Sequence, residues 1–460
     1  MNYQSRKHNV LIIGAGPGGY VAAIRGAQLG LSVCVVEKNN VGGVCLNLGC
    51  IPTKAALKES EFLRQVRHQF QDGIKMEEQQ LWEMLVESSR KPVETLRSAI
   101  EHLFKQYGVE LIKGEGVFED GKIVIKTDGG VIVPLADNVI IATGSKNAVI
   151  KGFEPDHERV ITSDDVFCLK SLPARIAIIG GGAIGSEFAT LFSGLSREIH
   201  LIEMMPHILP FLDDDISGVV EREFKKSKLN LHTGVQVESF TKGDSLTLRL
   251  SNGKNINVDC VLVATGRKPN TAFLSGLGVD MDYAGRIKVD ASMRTNIPHL
   301  FAIGDCVGQM MLAHTASEEG IVAVETIAGR EKEMDYSAIP VTVFTTPEVA
   351  YVGLTERGAK EKGIEIKTSS VLYRSIGRAH ADNLITGKIK LVIRQDGIVL
   401  GGEMVGKNAT EIVHTIALAV KQGIHYKELQ DMIFAHPTYS ELIREVADSF
   451  DNMAIHSGRR

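Results

Sequence analysis

The stretch GGVCLNLGCIPTK, residues 42–54, sets Cys45 and Cys50 five positions apart in a chain of 460 residues with only six cysteines. Two thiols at that spacing can be a structural staple, half of a metal site or a redox pair. A metal site needs two further soft ligands at matched spacing. Cys34, Cys168, Cys260 and Cys306 are instead scattered singly, mostly in strand-like contexts, and read as small buried hydrophobes. No metal is expected. A structural disulfide across so small a loop would stabilise little and would be out of place in a reducing compartment, so the redox pair is the preferred reading. CIPTKAALKESEFLRQ reads as the beginning of a helix, which puts the pair near a helix N-terminus, where the dipole and free amides favour thiolate. Thiol exchange also needs a base, because it is the thiolate that attacks. Among fourteen histidines, AHPTYSE offers His436 with Glu441 five residues on. A carboxylate on one ring nitrogen fixes the tautomer and leaves the other nitrogen free to take a proton. A single histidine is more often structural, so the residues alone leave this assignment open. His414 and His314 are weaker candidates.

The elements that must position these groups announce themselves by repetition. NVLIIGAGPGGYVAAIRGAQLGLSVCVVEK reads as an apolar strand, a glycine turn, a small-residue helix and a second strand ending at Glu37. Gly14, Gly16 and Gly19 satisfy the G-x-G-x-x-G pattern. In a dinucleotide fold the first glycine makes the turn, the second admits the pyrophosphate and the third lets helix and strand approach. The terminal acid takes the ribose hydroxyls. RIAIIGGGAIGSEFATLFSGLSREIHLIE repeats the unit, with Gly180, Gly182, Gly185 and Glu203 each 166 positions after their counterparts. Two glycine turns used only for packing are the alternative, but four matches at one offset favour two dinucleotide sites. A carboxylate at Glu203 accepts from a free 2′-hydroxyl and repels a 2′-phosphate. The following MMPH offers no arginine to hold such a phosphate, so NAD is expected rather than NADP.

NVIIATGS (138–145) and CVLVATGR (260–267) form a second pair of echoes, each a strand ending in a glycine. NIPHLFAIGD (296–305) reads as a further strand ending on Asp305. The simplest topology inserts the second nucleotide domain into the first. The expected class is α/β, with two Rossmann-like dinucleotide-binding domains and an α+β C-terminal domain. The segments are 1–150 (first nucleotide domain, first part), 151–270 (second nucleotide domain), 271–338 (return to the first domain) and 339–460 (C-terminal domain). Residues 59–107 are charged with helical spacing and read as two solvated helices of the first domain.

Hydrophobic residues make up 44% and charged residues 23% of the chain, the balance of a soluble globular protein, and the net charge of −5 argues against nucleic acid or anionic membrane as partner. The polar lead MNYQSRKHN has no signal-peptide core, no apolar run spans a bilayer, and Arg459–Arg460 is too short a basic tail to matter. The expected compartment is the cytoplasm.

Together with MLAHTASEEG (311–320), PEVAYVGLTE (347–356) and AHPTYSE (435–441), these motifs make the whole chain resemble the pyridine nucleotide–disulfide oxidoreductases. Within that family it is most similar to the members that oxidise dihydrolipoamide. Val44 stands where threonine is usual and leaves the redox pair intact. The resemblance implies FAD contacts at Gly14, Gly16, Gly19, Glu37, Lys54, Gly116, Gly144, Asp305 and Ala313. It implies NAD contacts at Gly180, Gly182, Gly185, Glu187, Glu203, Val235 and Gly266. It assigns Cys45 to exchange with a dithiol, Cys50 to electron transfer with flavin, and His436 with Glu441 to the base. It casts Lys54 and Glu187 as a charged pair beside the flavin, for which a surface ion pair is the plainer alternative. It further implies a homodimer in which the C-terminal domain of one chain caps the disulfide of the other. The implied substrates are lipoyl-bearing protein domains, and the peripheral-subunit-binding domain of an acyltransferase is a further implied partner.

Overall fold

The computed structural model describes residues 7–70, 77–119 and 122–457, so the start of the polar lead and the basic tail lie outside the described residues. The chain divides into two compact units. The first comprises residues 1–56, 80–148 and 266–335, and the second residues 57–79, 149–265 and 336–460.

The first unit is built on a parallel five-stranded sheet in the order Leu300–Ala302, Leu135–Ile141, Lys7–Ile13, Val33–Glu37, Glu110–Lys113. Residues 300–302 thus pair beside 139–141, more than 150 positions earlier in the chain. Val33–Glu37 is buried along its whole length, as expected for a strand of β-branched residues covered on both faces. Helix Pro17–Gln28 buries a face of small residues, Gly18, Gly19, Ala22, Ala23 and Gly26. Helix Ala313–Ile327 packs onto it so closely that a Cβ on Gly18 would fall 2.8 Å from the Ala316 carbonyl oxygen.

The second unit repeats the pattern in a parallel sheet ordered Asn230–Thr233, Glu198–Glu203, Arg175–Ile179, Cys260–Val263, Val160–Thr162. It also holds an antiparallel sheet ordered Val341–Val343, Val349–Gly353, Val399–Val405, Lys388–Arg394, Ile366–Leu372. Ile389, Leu391 and Met404 of this sheet share a core with Val413 and Ile416 of helix Ala409–Gln422 and with Leu442 and Val446 of helix Glu441–Asp448.

One feature of this sheet is buried charge. Lys390 and Glu403 face each other across the strand pair, both buried, with Nζ 3.2 Å from Oε2. The same ammonium lies 2.5 Å from Asp213 and 2.7 Å from Asp215, at the start of helix Asp214–Lys226. Glu403 accepts the amide N–H of Asp213 at 2.8 Å, and Asp213 accepts the amides of Glu356 and Arg357 at 3.0 and 3.1 Å.

Three sequence expectations need adjusting. Cys168 is exposed, at the end of the short turn Val166–Cys168 rather than in a strand. The strand before Asp305 stops at Ala302, and Asp305 sits in the turn Gly304–Cys306. Over 59–107 the helices are Cys50–Phe70 and Glu78–Tyr107, and the second buries Leu81, Trp82, Leu85 and Phe104, so one face is core. Residues 71–76 between them lie outside the described residues. No described helix is long and apolar enough to cross a membrane.

Candidate active site

Cys45 lies in the short helix Gly43–Asn47, and Cys50 opens helix Cys50–Phe70. The two are joined as a disulfide with Cα atoms 4.7 Å apart, inside the span such a bond allows. The loop between them is pinned at the Val44 carbonyl, which accepts the amides of Leu48 (2.9 Å) and Gly49 (2.8 Å). The segment just before Cys45 presses on the first glycine turn. The Gly42 amide donates to the Ala15 carbonyl at 2.7 Å. Gly43, at a φ of +60°, comes so near that a Cβ would sit 2.7 Å from the Cα of Gly16. No other residue type fits there, and the consequence is that the disulfide segment and the first glycine turn form one piece of structure.

The first and third glycines of the two motifs are used alike. Gly14 and Gly180 have φ of +106° and +108°, and a Cβ on either would fall 2.3 or 2.4 Å from the Ala142 or Ala264 carbonyl oxygen. A Cβ on Gly19 or Gly185 would likewise fall 2.0 or 1.9 Å from the carbonyl oxygen of Gly14 or Gly180. The middle glycines differ: a Cβ on Gly182 would meet nothing within 4 Å, and one on Gly16 only Gly43 at 4.0 Å. They cap helices Ala183–Gly194 and Pro17–Gln28, and no side chain caps either helix. An open approach to uncapped helix amides is what a pyrophosphate requires, and both turns therefore fit a dinucleotide.

The two acids repeat as well. Glu37 accepts the amides of Ala15 and Asn39, both at 2.7 Å. Glu203 accepts those of Gly181 (2.6 Å) and Met205 (2.8 Å). Both are buried, and their amide donors are again 166 positions apart. Each carboxylate is fixed in place by the turn it completes. The Val235 amide donates to the Glu203 carbonyl at 3.1 Å, which brings Val235 to the same edge.

Elsewhere in the first unit, Asp305 accepts from the Ser145 hydroxyl, which in turn receives Nε of Arg267 at 2.7 Å. This carboxylate–hydroxyl–guanidinium chain leaves no mark in the sequence, because Ser145 lies more than 100 positions from both Asp305 and Arg267. Ala15 was missed too: its role is carried by backbone atoms, which no residue type advertises. Gly116 lies over Ile13, where a Cβ would fall 2.7 Å from a methyl group, whereas Gly144 faces open space. Ala313 begins its helix, and Lys54 lies on the first turn after Cys50. Gly266 also belongs to the first unit.

In the second unit Glu187 is buried and accepts the Phe344 amide at 3.0 Å. His436 is exposed, with Nδ1 2.9 Å from Glu441, whose other oxygen accepts the Thr438 amide at 2.8 Å. Burial works to raise the Glu441 carboxyl, but the bonds from His436 and Thr438 outweigh it and hold it below the usual carboxylate value. An ionised carboxylate only accepts, so Nδ1 carries the hydrogen and Nε2 presents its lone pair to solvent. Nδ1 of the exposed His414 lies 3.2 Å from the Glu411 backbone carbonyl, where His436 has a carboxylate. Among the described residues, no group of three or more His, Cys, Asp or Glu is arranged to hold a metal ion.

Residues 8–320 match the family described as pyridine nucleotide-disulphide oxidoreductase, and residues 339–447 match its dimerisation domain. The chain is 37% identical over 464 residues to dihydrolipoyl dehydrogenase 3 of Haloarcula marismortui, covering 97% of each. It is 38% identical over 455 residues to dihydrolipoyl dehydrogenase of Geobacillus stearothermophilus, again covering 97% of each. Among solved structures it is similar to LpdA from Mycobacterium tuberculosis, at a TM-score of 0.87 and 26% identity, with 96% of this chain and 99% of that one covered. RclA from Escherichia coli, a HOCl-induced flavoprotein disulfide reductase, gives a TM-score of 0.84 at 25% identity, with the same coverage.

Proposed function

The chain belongs to the pyridine nucleotide-disulphide oxidoreductases, and from that membership we propose that it oxidises protein-bound dihydrolipoamide to lipoamide with NAD+ as acceptor. The observation that carries this reading is the Cys45–Cys50 disulfide, which opens a helix and is pressed onto the first glycine turn through Gly42 and Gly43. Its cofactors are FAD and NAD. FAD, when bound, supplies the two-electron carrier that joins the protein dithiol to NAD+. Gly14, Gly16, Gly19 and Glu37 would hold its dinucleotide portion, with Gly116, Gly144, Asp305, Ala313 and Lys54 around the rest. Gly180, Gly182, Gly185, Glu187, Glu203, Val235 and Gly266 would serve NAD.

The chain's own part is thiol exchange. One substrate thiolate attacks Sγ of Cys45, the S–S bond breaks and Cys50 leaves as thiolate. The second substrate thiolate displaces Cys45 and closes the lipoamide disulfide. Two electrons have then passed from substrate to protein, one thiol proton rests on His436 and the other on Cys45, and product departs before NAD+ reacts, which gives ping-pong kinetics. The start of helix Cys50–Phe70 favours the Cys50 thiolate. Nε2 of His436, oriented by Glu441, takes the proton of the substrate thiol. The matched dimerisation domain supports a homodimer, in which His436 serves the disulfide of the partner chain. The segments 1–150, 151–270, 271–338 and 339–460 form the FAD, NAD, return and interface parts. The pairing of Leu300–Ala302 beside Leu135–Ile141 supports the return. The protein works in the cytoplasm within 2-oxo acid dehydrogenase complexes or the glycine cleavage system, on lipoyl domains, and docks on an acyltransferase's peripheral-subunit-binding domain.

A different disulfide reductase, acting on a low-molecular-weight disulfide, is the second reading, and the likeness to RclA favours it. The acceptor separates the two. With dihydrolipoamide as donor, NAD+ should support turnover far better than NADP+, because the Glu203 carboxylate repels a 2′-phosphate. Preference for NADP+, or no turnover with dihydrolipoamide, would favour the second.

A further inference from the structure

Asn47 lies between the two cysteines, and every polar position of its side chain is engaged. Its Nδ2 donates to the carbonyls of Val41 (3.0 Å) and Gly43 (2.8 Å). Its Oδ1 accepts from Nε (3.1 Å) and Nη2 (2.8 Å) of Arg97, which projects from helix Glu78–Tyr107. The chemistry fixes this orientation of the amide. A guanidinium has no acceptor and a carbonyl has no donor, so the oxygen must face Arg97 and the nitrogen the two carbonyls. Val41 and Gly43 flank Gly42, which bonds the Ala15 carbonyl. One side chain therefore ties together the loop between the thiols, the first glycine turn and a helix 50 positions on.

On the reading of Cys45–Cys50 as the redox pair, we propose that Arg97 and Asn47 brace this loop so that the two sulfurs stay within reach when the disulfide opens. Arg97 is then a positioning residue for the dithiol chemistry. While the S–S bond is intact, it closes the loop covalently and the brace adds little. Once the bond is reduced, the loop is held by the amides at the Val44 carbonyl and by the brace. A loop with fewer conformations presents Cys50 to Cys45 at a higher effective concentration. Attack of Cys50 on Cys45 in the mixed disulfide re-forms the protein disulfide and returns the substrate as its dithiol, so the brace sets the balance between the closed and open forms of the loop. Losing the brace frees the dithiol and leaves the disulfide almost unchanged, so the balance moves toward the dithiol.

The test is the thiol–disulfide equilibrium of the holoenzyme against dithiothreitol without oxygen. Protein disulfide and dithiothreitol exchange for protein dithiol and cyclic oxidised dithiothreitol, and the thiols are trapped by alkylation and counted by mass. Arg97→Met and Asn47→Ala should each shift the equilibrium toward the dithiol by about three- to tenfold, the worth of a hydrogen bond or two. The double variant should shift it no further than either single, because both remove one brace. Arg97→Lys keeps the charge but loses the fork and should move the same way. Loss of positive charge alone would destabilise thiolate and move the equilibrium toward the disulfide. If Arg97→Met does not fold, Asn47→Ala and Arg97→Lys carry the same comparison. Unmoved or opposite single variants, or single shifts that add in the double, would overturn the brace. Wild type that does not exchange at all would instead overturn the reading of Cys45–Cys50 as a redox pair.

Discussion

Single residues in this chain owe their chemistry to their partners. His436 is exposed, yet its ring is set by Glu441, and that carboxylate is itself anchored by the Thr438 amide. Replacing the ring should remove a positioned base. His436→Ala is expected to lower dihydrolipoamide turnover by about 10²- to 10⁴-fold, with little change in NADH binding, measured by steady-state rates and by titration. Equal turnover in the variant would remove His436 from the mechanism. The pairing of His436 with Glu441 was legible because five positions in one turn-rich segment keep the two close whatever the fold. The chain from Asp305 through Ser145 to Arg267 was not, because its geometry exists only after three distant segments have met.

At the scale of the element, the Lys390–Glu403 cross-strand pair and the carboxylates at the head of helix Asp214–Lys226 make stability depend on pH. Burial and the contact with Asp213 push Glu403 from an ordinary 4.5 up to about 8, against the pull of Lys390. Burial would raise Asp213 as well, but its hydrogen bonds with Glu403, Lys390 and the Arg357 amide prevail and hold it at about 2, below its ordinary 3.8. The signs differ. Between about 4.5 and 8 the folded chain keeps a proton on Glu403 that the unfolded chain has lost, so stability falls as pH rises. Between about 2 and 3.8 the folded chain has lost a proton that the unfolded chain keeps on Asp213, so stability rises with pH. Glu403→Gln is neutral at every pH and retains an oxygen for the Asp213 amide. Its melting temperature relative to wild type should therefore climb from pH 5 to pH 8; a constant difference would contradict the protonated Glu403. Both glycine-turn units were legible as elements, since each declares itself by local spacing and by its twin. The antiparallel sheet was legible only as an expected α+β domain. Its register is set by strand pairings such as Lys390 with Glu403, and nothing local encodes them.

At the scale of the whole molecule, the two chains of a dimer are expected to complete each other's sites. Chains carrying Cys45→Ser and chains carrying His436→Ala should each be inactive or nearly so. Refolded together, they should form mixed dimers with one site intact and one doubly mutated, and activity should return to at most about half that of wild type per mixed dimer, given the contribution of a positioned base. Verified mixed dimers that stay inactive would place His436 on its own chain's thiols or outside the reaction. The central claim, that Cys45 and Cys50 receive the electrons of a dihydrolipoyl group, is tested most directly by a single half-reaction. One equivalent of dihydrolipoamide is mixed with the flavin-loaded protein, without oxygen or NAD+, and both lipoamide and alkylated cysteines are measured. Lipoamide should form as Cys45 becomes open to alkylation, and NAD+ added before the alkylating agent should restore the disulfide. Lipoamide formed while Cys45 and Cys50 remain joined, or no lipoamide at all, would contradict that claim.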